Sequence, residues 1–498
     1  MLPKSILIAN RGEIAIRIMR TAKNMGIKTY ALQTPQEANA HYLKFADEVI
    51  KVREENLSGP VFLNIDELIS YAKEHKIESI HPGYGFLSEN PELAKRCEDE
   101  GILFIGPSHE SIHAMGNKNV AKELASTINI PLIKGSKGAI LNFMEAKRQA
   151  AEIGYPIMLK ALAGGGGKGM RVVRKEKELE TSYKLAVNEA VSSFNNGAML
   201  IEKYIEHPRH IEIQVLADKY GNAVHLFERE CSIQRKHQKL LEEAPSAVLT
   251  EKLRKQMGDL AIKLCKYVGY STLGTVEFLL DSQNNFYFLE MNTRVQVEHP
   301  VTEAISGIDL IEQQIRTAAG EKLQLKQSDL SINGWAIEFR INAEDVQAGF
   351  APNFGIIDEM SFPEDPNLRV DTGFVPGTVI PTMYDSMIAK LIITGKTRSE
   401  AIENSIRILD ASTVKGIKTT IPFFKTTLRH PDFVRGKIDT SFVQDKLTQT
   451  FYQEKNEEMA AAMIALQAYL DEVRKIEEDE VGVTNASPWI SRMWHKLS

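Results

Sequence analysis

The sequence predicts a multidomain α/β protein. It comprises an N-terminal doubly wound parallel-sheet domain, a core carrying a small lid, a C-terminal mixed β domain and a helical tail. Three observations predict it. Residues 4–32 read strand, helix, strand. The glycines Gly164 to Gly167 run between two strand patterns. Residues 286–300 (FYFLEMNTRVQVEHP) continue a short apolar strand with a polar group at every second position.

Residues 4–9 are a short buried-strand pattern, and Asn10-Arg11-Gly12 turns it into a helical stretch over 13–23. Gly26 closes that helix and residues 28–32 resume as strand, which makes a compact βαβ unit. Further strand patterns at 79–81 and 103–105 fit a parallel sheet covered on both faces. A helix over 118–129 leaves this unit. Residues 131–204 then hold strand 157–161, the glycine loop, strand 170–173, helix 176–193 and strand 199–204. This unit is small and carries the loop, so it is expected to move as a lid. From His210 strands dominate, at 211–216, 276–280 and 286–291, and the strand at 335–345 puts Glu338 and Arg340 on one face. In the tail, Met459, Met463, Leu466, Leu470 and Val473 follow a/d helical spacing before an acidic run at 477–480 and the tryptophans Trp489 and Trp494. Such a helix either packs on its own domain or docks a partner subunit.

Bulk properties exclude several classes. A net charge of −6 gives no reason to expect nucleic acid as the main partner. Cys97, Cys231 and Cys265 form no pair-spaced motif, and an odd number fits a reducing compartment. No apolar run approaches the roughly 20 residues that span a bilayer, and the residues after Met1 do not read as a secretory signal. A cytoplasmic protein without a membrane segment is expected.

The chemistry concentrates in a few stretches. In an extended backbone Glu290, Asn292, Arg294, Gln296 and Glu298 would project from one face. Glu277 with Glu290 and Asn292 supplies the hard oxygens that magnesium prefers. Arg294 can hold a planar oxyanion bidentately, and Glu298 can take its proton; a surface ion pair between the two is the plain alternative. The glycine loop lets backbone amides close over a polyphosphate, with Lys160 just upstream. It lacks the hydroxyl residue of the common phosphate loop, since Gly169 follows Lys168. The strand 199–205 ends where backbone groups of Lys203 and Ile205 can meet an adenine edge. Gln234, His237 and Lys239 fit an anion or ribose site, and the loop 81–90 suits substrate contact.

Together these residues resemble the biotin carboxylase family, within the ATP-grasp superfamily, over roughly residues 2–446. The matching motifs are IANRGEI (8–14), HPGYGFLSEN (81–90), AGGGGKGM (163–170), RHIEIQVLAD (209–218), ERECSIQRKHQK (228–239), EMNTRVQVEHPVTE (290–303), RINAED (340–345) and YDSMIAKL (384–391). Ala163, Lys168 and the stretch 32–39 depart from the usual pattern. The resemblance implies a Rossmann-like domain over 1–117 and an ATP-grasp domain over 118–330, with its lid at 131–204. It further implies the family's C-terminal domain over 331–446, ahead of a tail at 447–498. It places ATP contacts on Lys118, Lys160, Gly166, Gly167, Glu202, Lys203, Ile205, His210, Gln234 and His237, and Mg2+ or Mn2+ on Glu277, Glu290 and Asn292. Bicarbonate falls to Lys239, Arg294, Gln296 and the Val297 backbone, with Glu298 as base. Biotin falls to Arg340 and to Gly83 and Tyr84.

The implied reaction is ATP- and bicarbonate-dependent carboxylation of biotin on a separate carrier protein. A separate carboxyltransferase subunit would pass the carboxyl group to acetyl-CoA, another acyl-CoA or pyruvate, and a homodimer is implied. Two other readings are an ATP-grasp ligase acting on a different acceptor and a nucleotide-sensing scaffold. The loop 81–90 and Arg340 argue against the first; the intact set Lys239, Glu277, Glu290, Arg294 and Glu298 argues against the second.

Overall fold

The computed structural model describes residues 1–53, 60–136, 138–162, 170–194 and 196–447, with 463, 465–467 and 469 of the tail. The tail residues Met459, Leu470 and Val473 lie outside the described residues, whereas Met463 and Leu466 are helical and exposed.

Five strands, β1 (Ser5–Ile8), β2 (Lys28–Gln33), β3 (Glu48–Lys51), β4 (Ser79–His81) and β5 (Leu103–Phe104), form the first sheet. All pairs are parallel, in the order β3-β2-β1-β4-β5. Alternate residues near β1 enter different cores: Ile6 and Ile8 pack on one side, Leu7 and Ala9 on the other. Burial on both faces is what a parallel sheet flanked by helices requires. The strand order reverses between β1 and β4, so the loops after these strands diverge and leave a crevice. The HPGYGFLSEN loop follows β4, and Asn10 and Arg11 follow β1.

The lid is a separate antiparallel sheet of β6 (Ile157–Ala161), β7 (Arg171–Val173) and β8 (Met199–Lys203), ordered β7-β6-β8. Ile157, Leu159, Ile201 and Ala186 belong to a core of its own. A unit that buries its own apolar surface can move without exposing another domain's core.

The largest sheet is antiparallel. Its strands are β9 (Arg209–Ala217), β10 (Ala223–Arg235), β11 (Gln238–Ala244), β12 (Thr272–Leu280), β13 (Phe286–Asn292) and β14 (Trp335–Asn342). Short strands β15 (Glu344–Asp345), β16 (Ala351–Pro352) and β17 (Glu359–Ser361) intervene before β18 (Leu368–Thr372) and β19 (Met387–Gly395). The order β13-β12-β9-β10-β11-β14-β19-β18 runs unbroken from the middle of the chain into its C-terminal part. Pairing β14 with β11 satisfies backbone groups that each would otherwise expose at an edge.

One face of the β9 end of this sheet is apolar. Ile211, Ile213, Phe278 and Phe288 share a core with Met257, Ala261 and Leu264 of the helix Glu251–Tyr267. The other face carries the charged residues. A bulge makes this possible on β13: Phe278 pairs with Phe288 but Glu277 pairs with Glu290, which leaves Leu289 extra. Strict alternation would put Phe286, Phe288 and Glu290 on one face; the extra residue moves Glu290 to the opposite one.

The C-terminal part touches the N-terminal domain closely. A Cβ added at Gly373 would lie 2.7 Å from the Cα of Gly12 and 2.8 Å from the amide nitrogen of Glu13. Gly373→Ala is expected to destabilise the protein by about 1–3 kcal/mol, the usual cost of overpacking. Urea unfolding tests this, and an unchanged midpoint would show that the contact yields.

Candidate active site

Cross-strand pairing builds the site. Glu290, Glu277, Glu212 and Arg229 are successive partners across β13, β12, β9 and β10. Asp371, Lys390 and Arg340 pair across β18, β19 and β14, and Glu242 pairs with Glu338 between β11 and β14. Directly paired residues project from the same face with Cβ atoms about 5 Å apart. Such rows of buried charge are tolerable only if they compensate one another.

Lys239 supplies much of the compensation. Its Nζ lies 2.7 Å from Glu298 Oε1 and 3.2 Å from Glu277 Oε1, and it is paired with Glu212. Arg229, fully buried, donates to Glu212 Oε2 (3.0 Å), Gln214 Oε1 (2.6 Å), Thr275, Thr302 and Gln296. Arg340 donates through Nε to Glu242 Oε1 (2.7 Å) and through Nη2 to Glu298 Oε2 (2.8 Å). Glu298 therefore bridges Lys239 and Arg340.

The electrostatics follow. Burial pushes the Glu298 carboxyl up, but Lys239, Arg340 and Arg229 together hold it well below the usual carboxylate range. Burial pulls Lys239 down, yet Glu212, Glu298 and Glu277 hold it well above the usual lysine value. Burial lifts Glu212 to about 7, with Lys239 opposing and the negative charges of Glu298 and Glu277 reinforcing.

The residues after Asn292 depart from the sequence expectation. The strand ends at Asn292, and residues 293–298 do not continue as an extended file. The chain turns into the helix His299–Ser306, whose second residue is Pro300, and Glu298 sits at the cap with φ −81° and ψ 11°. Proline is pre-set for a helical first turn, and the Gln296 carbonyl accepts the His299 amide at 3.3 Å. The functional groups still converge by another route. Asn292 Nδ2 and Gln296 Nε2 donate to Glu277 Oε1 at 2.6 and 2.9 Å. Arg294 does not pair with Glu298; it donates to Glu89 Oε2 at 3.0 Å and to Asn292 Oδ1 at 3.1 Å.

On the nucleotide side, Lys118 Nζ lies 2.7 Å from Glu290 Oε2. Lys160 and Lys122 both meet Glu202. Lys203 is turned into the lid: its Nζ donates to the carbonyls of Gly154 and Tyr155, and its amide donates to Lys134 O at 2.7 Å. That amide is thus engaged within the lid. Ile205 is half-buried just beyond β8. His210 Nε2 sits 2.8 Å from Glu277 Oε2, with Gln234 beside it. Gly166 and Gly167 lie outside the described residues. His237 occupies the β10–β11 hairpin turn, where Lys236 and His237 have φ of +49° and +65°. Asn and Gly usually fill such a turn, so these two side chains hold a backbone that disfavours them.

Two carboxylates and an amide oxygen on neighbouring strands, Glu277, Glu290 and Asn292, suit a hard divalent cation. Glu290 is about a third exposed. A second candidate group brings His210, Glu212 and Glu277 within 4.8 Å of one another.

A cleft of about 630 Å³ opens between the N-terminal loops and the sheet, lined by Tyr84, His237, Lys239, Arg294, Glu298 and Arg340 among others. Asn10 Nδ2 donates to the carbonyls of Pro82 (2.7 Å) and Tyr84 (2.8 Å), which joins the two loops. Gly83 fits there because its φ is +64° and a Cβ would fall 2.8 Å from Asn10 Nδ2. Sequence reasoning missed Glu212, Arg229, Glu242, Lys390 and Glu13 as parts of this network. Glu212, Arg229, Glu13 and Lys390 all stand in motifs singled out above, and charged residues inside otherwise strand-like runs were the available signal.

Fold and site together define an enzyme of the ATP-grasp class: a small antiparallel lid beside an antiparallel sheet that carries paired acidic and basic rows. The chain belongs to the biotin carboxylase family. Residues 2–112 match "Biotin carboxylase, N-terminal domain", 338–445 match "Biotin carboxylase C-terminal domain", and 117–326 match "Carbamoyl-phosphate synthase L chain, ATP binding domain". It is 50% identical to biotin carboxylase 1 of Bacillus subtilis, over 89% of this chain and 98% of that one. It is 49% identical to a pyruvate carboxylase subunit of Methanothermobacter thermautotrophicus, over 88% and 89%. A solved neighbour is the biotin carboxylase domain dimer of Hydrogenobacter thermophilus 2-oxoglutarate carboxylase, in complex with MgADP, ADP and bicarbonate. Its identity is 46% and its TM-score 0.82, covering 89% of this chain and 98% of that one.

Lys239→Met is expected to raise the Glu298 pKa, because Lys239 is the first of the cations that hold it down. Side-chain carbon NMR of labelled glutamate measures this. An unmoved titration would mean that Arg340 and Arg229 suffice.

Proposed function

We propose that the chain carboxylates biotin on a separate carrier protein, with ATP and bicarbonate as co-substrates, and that the site residues act as follows. The observation that carries the reading is the placement of Glu298 between Lys239 and Arg340 at the floor of the cleft. Arg294, Lys239, Gln296 and the Val297 backbone hold bicarbonate beside Glu298, which takes its proton. The freed oxyanion attacks the γ-phosphorus of ATP, an O–P bond forms, and ADP leaves. A base held so far below the usual carboxylate range is weak, but the incoming anion shares Lys239 and so raises the affinity of Glu298 for a proton. Carboxyphosphate then divides into carbon dioxide and phosphate. Phosphate removes the N1 proton of biotin, N1 bonds to carbon dioxide, and Arg340 stabilises the negative ureido oxygen. Gly83 and Tyr84 flank biotin on the other wall.

Lys118, Lys160, Glu202, Lys203, Ile205, His210, Gln234, His237 and the lid glycines Gly166 and Gly167 take the nucleotide. Glu277, Glu290 and Asn292 would hold Mg2+ or Mn2+, which supplies charge neutralisation for the phosphates when bound. The domain limits are those expected above, at 1–117, 118–330, 331–446 and 447–498.

Relatives of nearly equal identity bear the names of pyruvate and 2-oxoglutarate carboxylases, so the common step is biotin carboxylation, not the choice of final acceptor. We infer a homodimer, a carrier protein and a separate carboxyltransferase as partners. The neighbour from Hydrogenobacter thermophilus is a dimer. No helix among the described residues is long and apolar enough to cross a membrane. The three cysteines are free and buried, which supports a cytoplasmic setting.

The test is ATP hydrolysis with Mg2+, adding bicarbonate and biotin separately and together. Turnover should require bicarbonate and rise with biotin, and Arg340→Ala should abolish the response to biotin. Turnover indifferent to biotin would refute the reading. Glu290→Gln should raise the Mg2+ concentration needed for half-maximal rate by about tenfold, the equivalent of one lost charged ligand at about 1.4 kcal/mol. An unchanged Mg2+ requirement would remove Glu290 from the metal site.

A further inference from the structure

Two sequence motifs, residues 8–14 and 384–391, contribute no charged residue to the mechanism above, yet their charges meet. Lys390 on β19 is fully buried. Its Nζ lies 3.0 Å from Glu13 Oε1 and donates to the Val297 carbonyl at 2.8 Å. Glu13, in the first turn of the helix Gly12–Asn24, accepts the hydroxyl of Tyr84. One ammonium thus ties the wall that carries Tyr84 to the turn that carries Glu298.

The Val297 carbonyl lies outside any strand or helix, so no backbone ladder fixes it. Residues 293–298 have left the sheet, and the direction of both the Val297 amide and the Glu298 side chain depends on that turn. A plain structural ion pair is the competing explanation. It accounts poorly for a lysine whose second bond goes to a turn carbonyl next to the base, since buried ion pairs add little net stability over apolar packing. The surrounding charges keep Lys390 ionised: burial opposes it, but Glu13, Glu338 and Asp371 raise its pKa. Glu338, beside it on the same face, has both carboxyl oxygens buried without a hydrogen-bond partner. Burial pushes that carboxyl well above the usual range, with Lys390 and Arg340 pulling it back down.

We propose that Lys390 is a positioning residue for both halves of the reaction: it sets the Val297–Glu298 turn under bicarbonate and, through Glu13, the Tyr84 hydroxyl at the biotin wall. The proposal rests on the reaction assigned above. Steady-state kinetics of the full chain with free biotin, bicarbonate and MgATP test it, together with calorimetric binding of MgADP. The unmodified chain is the control for the reaction: if it shows no bicarbonate-dependent turnover, the assigned reaction and this proposal fall together. In an active background, Lys390→Met should raise KM for bicarbonate and for biotin by about tenfold each, while the MgADP Kd stays within about twofold. Unchanged KM values, or an MgADP Kd that worsens in step with them, would overturn the proposal and leave Lys390 a structural residue. If Lys390→Met does not fold because Glu13 is left uncompensated, Glu13→Gln combined with Lys390→Met removes both charges. That double variant should show the same rise in both KM values with MgADP binding intact, and ordinary KM values in it would overturn the proposal equally.

Discussion

A single buried ammonium, that of Lys239, sits against Glu298, Glu277 and Glu212 at once, in a place where an unpaired carboxylate would be prohibitively costly. None of the three can be removed from the network without altering the others. That mutual dependence depresses Glu298 and Glu277 and raises Lys239, while burial, with Lys239 opposing, lifts Glu212 to about 7. Charge balance, more than apolar burial, therefore decides the shape of this face of the sheet.

The fold is arranged to make such a balance achievable. An antiparallel sheet presents directly paired residues on one face, so acidic and basic partners from distant strands meet without loops to hold them. The opposite face takes the apolar residues and packs on the helix Glu251–Tyr267. The bulge at Leu289 and the turn before Pro300 are the two places where the regular pattern is broken, and both deliver acidic side chains to the site. The small sheet β7-β6-β8 keeps a hydrophobic core of its own, distinct from the cores of the large sheet.

The N-terminal domain completes the site from the other side. Its crevice lies where the strand order reverses, and Asn10 locks the two loops that border it. The Tyr84–Glu13–Lys390 connection carries that wall into the large sheet, and the close contact of Gly373 with Gly12 holds the two parts together nearby. The two walls of the cleft therefore belong to different domains but to one hydrogen-bonded network.

Residue order alone was enough to read the βαβ opening, the strands of the lid and core, and the kinds of groups in the site. Each of these rests on local periodicity or on residue types within a short motif. Glu290, Asn292, Arg294, Gln296 and Glu298 were legible as a set because polar groups in a strand-like run break the expected apolar pattern, and Glu277 joined Glu290 and Asn292 as a source of hard oxygens. How they converge was settled by the assembled fold. Alternation along one strand predicts a face but not a bulge, so the side taken by Glu290 was fixed by its pairing with Glu277. The end of the strand at Asn292, the bridge from Lys239 to Arg340 through Glu298, and the meeting of Glu13 with Lys390 depend on registers between segments far apart in the chain. Those registers are set by hydrogen bonds and charge balance across strands, and no local pattern carries that information.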